Sequence, residues 1–206
     1  MSAWGPDLEA RAQALLACYP EPRSALGPLL YLAMWHDCGL TDAGIRRVAE
    51  LTGLTPAQVQ SVASFHTMYK EAPGRYLISV CTSIACHLLG GEEVLGAVEE
   101  ETGVADGATD AGRLFTVEHV ECLGACGGAP AVQVNYETME GVTPEQARHL
   151  CRWLRQDRPT VVRSDELQER FGGQRAFDWG PAEPAGAAAP VPAFEPYGTA
   201  GEGEGA

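Results

Sequence analysis

The chain has 206 residues, 45% of them hydrophobic, which suits one good core or one modest domain with a helical appendage and excludes two large domains. Its formal net charge of -14 excludes a surface that binds DNA or RNA, because such surfaces draw most of their affinity from Lys and Arg. The sequence has neither a run of about 18 apolar residues that could cross a bilayer nor a start typical of a secretory signal, so we expect a cytosolic chain without direct membrane insertion.

Residues 1–70 are predicted to form a bundle of four helices. Apolar residues recur there at the i, i+3, i+4 spacing of buried helical faces. A third helix follows Thr41 and ends at Gly53, which stands where a left-handed C-terminal cap belongs. Thr55 and Gln58 form the capping pattern that opens the fourth helix.

Residues 71–156 change from helical to strand-like periodicity and are predicted to form a second domain. The order is strand, helix, strand, strand, helix, with the elements at 75–80, 84–102, 114–120, 131–134 and from Thr143 onward. This order predicts an α/β fold with a small mixed sheet.

The C-terminal part divides into an arm and a tail. We assign no secondary structure to the arm, residues 157–179. In the tail, residues 180–206, 19 of 27 residues are Ala, Gly or Pro. We expect this acidic tail to be disordered, because such a composition cannot bury enough apolar surface.

Three of the seven cysteines stand singly on apolar helical stretches. These are Cys18, Cys38 and Cys151, which we interpret as small buried hydrophobic residues. A reducing compartment would not preserve disulfides, so metal binding, redox chemistry or burial must explain the cysteines.

The other four cysteines form two close pairs, each directly after a predicted strand. Cys81 and Cys86 have the spacing C-x4-C, and Cys122 and Cys126 have the spacing C-x3-C. Strand ends of one sheet lie close together, so two loops leaving neighbouring strands present four thiolates around one site. This arrangement predicts a metal centre.

Three metal centres are compatible with cysteine pairs of this kind. Structural zinc takes four thiolates, most often from C-x2-C pairs but also from pairs with longer spacers, and is therefore retained as an alternative. A Rieske centre would need two His ligands, for which His87 and His119 are the nearby candidates, although four cysteines are already present. The unequal spacers favour a [2Fe-2S] cluster, which takes two thiolates on each iron. Glycines around the second pair would expose N–H groups to sulfur and stabilise the reduced form.

Four stretches of the sequence carry a close resemblance to a known family. They are YPEPRSALGPLLYLA at 19–33, LTPAQVQSVASFHTMY at 54–69, YLISVCTSIAC at 76–86 and VECLGACGGAPAVQVN at 120–135. This set resembles the small [2Fe-2S] iron-sulfur subunits of bacterial NADH-quinone oxidoreductase (respiratory complex I), in the thioredoxin-like [2Fe-2S] ferredoxin family. The resemblance implies a helical bundle followed by a thioredoxin-like domain, with Cys81, Cys86, Cys122 and Cys126 as cluster ligands.

The resemblance also implies an electron-transfer function within a larger assembly. The family works beside a subunit that binds NADH and FMN, and this chain lacks the glycine-rich dinucleotide and phosphate motifs. We therefore expect FMN and NADH on the partner subunit, further complex I subunits as neighbours, and a place in the peripheral arm on the cytoplasmic side of the inner membrane.

Two alternatives to this function remain. The same module serves as a diaphorase subunit of NAD-dependent hydrogenases and formate dehydrogenases. A protein of a different class would be a zinc-stapled thioredoxin-like binding module without a redox role. A thiol-disulfide enzyme is disfavoured because the C-x-x-C motif is absent.

Overall fold

The computed structural model describes residues 4–176 and 186–191. These divide into two compact units, residues 4–72 and residues 73–176 with 186–191. None of the helices in these two stretches is long and apolar enough to cross a membrane.

The first unit is the predicted helical bundle. Its helices are α1 (Pro6–Ala17), α2 (Leu26–Asp37), α3 (Asp42–Thr52) and α4 (Pro56–Phe65), with a 3₁₀ turn at Pro22–Ala25 between the first two. The Thr41 hydroxyl caps α3 by accepting from Gly44 N at 3.0 Å, and Thr55 and Gln58 form the predicted capping box. Gly53 adopts the left-handed conformation at the end of α3. Leucines of α2 and valines of α3 and α4 fill the core.

The second unit is built on a five-stranded mixed sheet. Its strands are β1 (Tyr76–Cys81), β2 (Ala108–Thr109), β3 (Phe115–Val120), β4 (Val132–Val134) and β5 (Glu137–Met139), in the order β2-β3-β1-β4-β5. β1 lies in the centre, parallel to β3 and antiparallel to β4. The predicted α/β fold with a small mixed sheet is confirmed.

Helices cover the sheet of the second unit and complete its core. They are α5 (Ile84–Leu88), α6 (Gly91–Thr102), α7 (Pro144–Asp157) and α8 (Ser164–Phe171). Alternate residues of β1, namely Tyr76, Ile78 and Val80, enter a core shared with apolar residues of α6, α7 and α8. A capping box of Thr143 and Gln146 begins α7, the helix that the sequence predicts from Thr143 onward.

The structure differs from the expected elements in three places. The helix expected at 84–102 is two helices, because Gly90 has a φ of 99° that ends helical geometry between them. Two strands, β2 and β5, are only two and three residues long and carry too short a pattern to be recognised. The arm contains α8, whose Leu167 and Phe171 are buried.

Six residues of the tail that we expected to be disordered pack against the second unit. Ala187 N donates to Val162 O at 2.8 Å, and Val162 N donates to Ala187 O at 3.0 Å. Ala187 and Val191 are buried. Within the expected tail, residues 186–191 therefore contribute a short backbone pairing and small buried side chains to the second unit. The rest of the predicted tail lies outside the described residues.

Candidate metal centre

The two cysteine pairs meet at one edge of the sheet. β1 ends at Cys81 and its parallel neighbour β3 ends at Val120, and these two residues are paired in register. Cys122 follows two residues later, and Cys126 begins a 3₁₀ turn, Cys126–Gly128. Parallel strands finish at the same edge, so the loops that follow them carry both cysteine pairs at this edge of the sheet.

Cys81 and Cys86 form the inner pair. Each is 2% exposed, and they pack with Ala125 and Ala131 in a small apolar cluster. The pKa of Cys86 is raised to about 11, chiefly by burial and to a smaller extent by the neighbouring Cys81 thiol. Since a metal ligand must be a thiolate, metal binding at this pair would release protons.

Cys122 and Cys126 form the outer pair and are exposed. Their sulfurs lie 3.3 Å apart, and the backbone N–H of Gly124 donates to the Cys122 sulfur at 3.4 Å. This N–H, together with the Cys126 thiol, lowers the pKa of Cys122. The same thiol contact raises the pKa of Cys126. The two sulfurs therefore titrate as a pair, with Cys122 as the first thiolate.

Gly91 allows α6 to approach the inner pair, a function that the sequence analysis missed. A Cβ at this position would lie 2.7 Å from the carbonyl oxygen of Cys81 and 2.9 Å from that of Cys86. Glycine is therefore required for close packing against Cys81 and Cys86. The signal was present as a Gly-Gly pair shortly after C-x4-C, but a glycine in a helix indicates first a weak helix former.

Glu140 is a second residue near the site that the sequence did not indicate. Its side chain is 2% exposed and occupies the space where Gly128 lacks a side chain. Its carboxylate accepts from the backbone N–H of Ala176, 36 residues away in sequence. Because these contacts are made by residues remote in the chain, local sequence patterns do not reveal them.

The two candidate histidines of a Rieske centre have acidic neighbours instead. His119 Nδ1 lies 2.6 Å from Asp106 Oδ2, and His87 Nδ1 lies 3.6 Å from Glu92 Oε1. The hydrogen bond and negative charge of Asp106 raise the pKa of His119.

The single cysteines behave differently from one another. Cys151 is fully buried in α7, as expected, and burial raises its pKa to about 12. Cys18 and Cys38 are exposed, so the expectation of burial is wrong for them. Each is the capping residue just beyond a helix, α1 or α2, and not part of its apolar face.

The donor set of the site fits a [2Fe-2S] cluster. All four donors are thiols, and they form two pairs: Cys81 and Cys86 share one buried cluster, and Cys122 and Cys126 are in contact. A [2Fe-2S] cluster takes two thiolates on each of two irons. In the parts of the chain that the structure describes, no three His, Cys, Asp or Glu side chains surround a single point in a way that would hold one ion.

Comparisons with known proteins identify the family to which the chain belongs. A family model described as thioredoxin-like [2Fe-2S] ferredoxin matches residues 12–155. The E subunit of NADH-quinone oxidoreductase from Mycobacterium bovis is 44% identical over 153 residues, covering 74% of this chain and 61% of that protein. NADH-quinone oxidoreductase subunit 2 of Thermus thermophilus is 38% identical over 135 residues, covering 65% of this chain and 75% of that protein.

A solved structure is similar in fold. It is an NAD+-reducing [NiFe]-hydrogenase in the air-oxidised state, which matches with a TM-score of 0.59 and 20% identity. The match covers 70% of this chain and 25% of that one. At this identity the likeness shows the fold alone.

Proposed function

Since the chain belongs to the thioredoxin-like [2Fe-2S] ferredoxin family, we propose that it transfers single electrons through one [2Fe-2S] cluster held by Cys81, Cys86, Cys122 and Cys126. The observation that supports this most is the meeting of two thiol pairs at one edge of the sheet. When bound, such a cluster supplies reversible one-electron chemistry.

The two pairs have different tasks in this proposal. Cys81 and Cys86 hold the inner side, where Ala125 and Ala131 exclude water. Cys122 and Cys126 hold the outer side, which is exposed and gives electrons a short route to a partner. The Gly124 N–H that donates to the Cys122 sulfur stabilises negative charge there and so favours reduction.

The cluster proposal is tested by the spectrum of the purified chain. A [2Fe-2S] protein is red-brown and gives an EPR signal after one-electron reduction, whereas a zinc-stapled binding module is colourless and EPR-silent. A colourless protein that contains zinc after anaerobic purification would support the zinc alternative and contradict the proposal.

The assembly to which this chain contributes is a second part of the proposal. The relatives named as NADH-quinone oxidoreductase subunits support a place in complex I, in the peripheral arm on the cytoplasmic side of the membrane. The chain spans about three fifths of the length of the Mycobacterium bovis relative. We propose that FMN and NADH are bound by a partner subunit, since a flavin usually converts hydride transfer into one-electron steps. The alternative is a diaphorase subunit of an NAD-dependent hydrogenase or formate dehydrogenase.

The partner proposal is tested by adding NADH and a dye acceptor to the purified chain. No turnover is expected from the chain alone, and activity is expected once it is assembled with the FMN-binding subunit. NADH oxidation by this chain without flavin would contradict the proposal. Co-purification of the chain with its partners from the native host distinguishes the two assemblies. Mass spectrometry of the partners would identify membrane subunits in the first case and hydrogenase or formate dehydrogenase subunits in the second.

A further inference from the structure

Glu140 is a buried carboxylate outside the proposed ligand set. It follows β5 directly and is 2% exposed. Burying a carboxylate is costly unless hydrogen bonds compensate for the lost water. Glu140 receives this compensation from a backbone N–H of the C-terminal arm.

On one side, the residues around Glu140 line the turn that carries Cys126. A Cβ on Gly128 would overlap the Glu140 carboxylate, so this carboxylate rests directly on the turn. Gly141 N donates to Gly128 O at 2.5 Å, and Val142 N donates to Pro130 O at 3.0 Å. The strand end therefore supports the whole segment that follows Cys126.

On the other side, Glu140 fastens the C-terminal arm. Gln168 Oε1 accepts from Glu140 N at 2.8 Å, and Gln168 Nε2 donates to Glu140 O at 3.1 Å. Gly173 N donates to the same carbonyl at 2.8 Å, and Ala176 N donates to the carboxylate at 2.7 Å. The side chain is thus held between the arm and the turn.

The arm also touches the turn directly. A Cβ on Gly127 would lie 2.8 Å from the Cβ of Ala176, so the arm residue covers the glycine next to Cys126. The arm, Glu140 and the turn Cys126–Gly128 form one packed layer beside the outer thiol pair.

We infer that Glu140 is a positioning residue for Cys126 and that its negative charge lowers the reduction potential of the cluster. This inference rests on the proposed function. Reduction adds a negative charge to the centre, and a fixed carboxylate nearby in a region of low dielectric opposes that addition. The Gly124 N–H raises the reduction potential, whereas the Glu140 carboxylate lowers it.

The test compares Glu140→Gln with a matched control, Glu137→Gln, in the full chain. Glu137 lies in the adjoining strand β5, is 8% exposed, and accepts from Ser164 N and Oγ at 2.8 and 2.7 Å. Both substitutions remove one buried carboxylate charge and keep an acceptor, but Ser164 lies at the start of α8 and not at the cysteine turn.

The measurement is an EPR-monitored redox titration, with iron per chain determined on the same samples. Glu140→Gln is expected to retain iron and to raise the midpoint potential, while Glu137→Gln leaves it unchanged. A merely structural role would not shift the potential of a variant that keeps its iron and melting temperature. Equal potentials in Glu140→Gln and the parent chain, or an equal rise in both variants, would overturn the inference.

A second substitution covers the case in which Glu140→Gln does not take up iron. Glu140→Asp keeps the charge but withdraws it from Gly128 by one methylene, so the midpoint potential should rise by a smaller amount. An unchanged potential overturns the inference, and so does global unfolding of both Glu140 variants, which would make the residue a general stabilising one. If the parent chain gives no [2Fe-2S] signal, the proposed function itself is contradicted. If the parent chain gives the signal but the variants do not shift its potential, only the inference about Glu140 fails.

Discussion

The sulfurs of Cys122 and Cys126 lie 3.3 Å apart on a turn that directly follows β3. Two thiolates that bind one metal tetrahedrally at about 2.3 Å lie about 3.8 Å apart. The two sulfurs of this pair therefore need to separate only slightly to bind the same metal ion. The inner pair, Cys81 and Cys86, lies in one small buried cluster. The fold therefore places the two sulfurs of the outer pair close to the separation that one metal requires.

The ligand assignment predicts different results for two exposed cysteines. Cys122→Ala should remove most of the iron, because one iron would lose one of its two protein thiolates. Cys18→Ala is the matched control, since Cys18 is also exposed but lies in the other unit. Iron per chain measures both variants. Parent-like iron content and an unchanged EPR spectrum in Cys122→Ala would refute the assignment.

Gly91→Ala tests the packing behind the inner pair. The added Cβ would collide with the carbonyl oxygens of Cys81 and Cys86, and such overpacking costs about 1–3 kcal/mol. Gly96→Ala in the same helix has open space around its Cβ and should stabilise by about 0.5–1 kcal/mol. Urea unfolding of both variants gives the free energies of unfolding. A Gly91→Ala protein as stable as Gly96→Ala would show that this close approach does not occur.

The sequence predicted those features that depend on local pattern. Strand ends carrying cysteine pairs, capping boxes at Thr55 and Thr143, and the helical bundle all follow from residues close in the chain. What it did not reveal depends on distant contacts or on very short elements. Glu140 meets Gln168 and Ala176, and β2 and β5 are too short to show alternation.

The ion pair of His119 and Asp106 predicts a pH dependence of stability. Asp106 raises the pKa of His119, so this contribution is present below the unfolded value of about 6.5 and is lost as the pH rises through the folded pKa. Desolvation raises the pKa of Asp106, but the hydrogen bonds from His119 outweigh it and lower that pKa. The Asp106 contribution is therefore present above about pH 4 and is lost as the pH falls through its folded pKa.

The pair should thus stabilise most between about pH 4 and 6.5. His119→Gln should lower the free energy of unfolding at about pH 5.5 and change it little at about pH 8.5, with a difference below about 1 kcal/mol because the pair is exposed. Denaturant unfolding at both pH values measures this difference. A larger loss at the higher pH would contradict the expected sign.

Docking of residues 186–191 predicts that two truncations differ. Removing residues 186–206 deletes the pairing of Ala187 with Val162 and the burial of Val191. Removing residues 192–206 leaves these contacts in place and serves as the control. The longer truncation should be less stable than the shorter by about 1–3 kcal/mol, measured by thermal unfolding. Equal melting temperatures of the two proteins would show that the segment does not contribute.

The most direct test of the central claim is the iron and acid-labile sulfide content of the chain after anaerobic purification. Binding of one [2Fe-2S] cluster by the four cysteines predicts about two irons and two sulfides per chain, and both should fall together in Cys81→Ala and Cys126→Ala. A chain that contains about one zinc, without labile sulfide, would contradict the account.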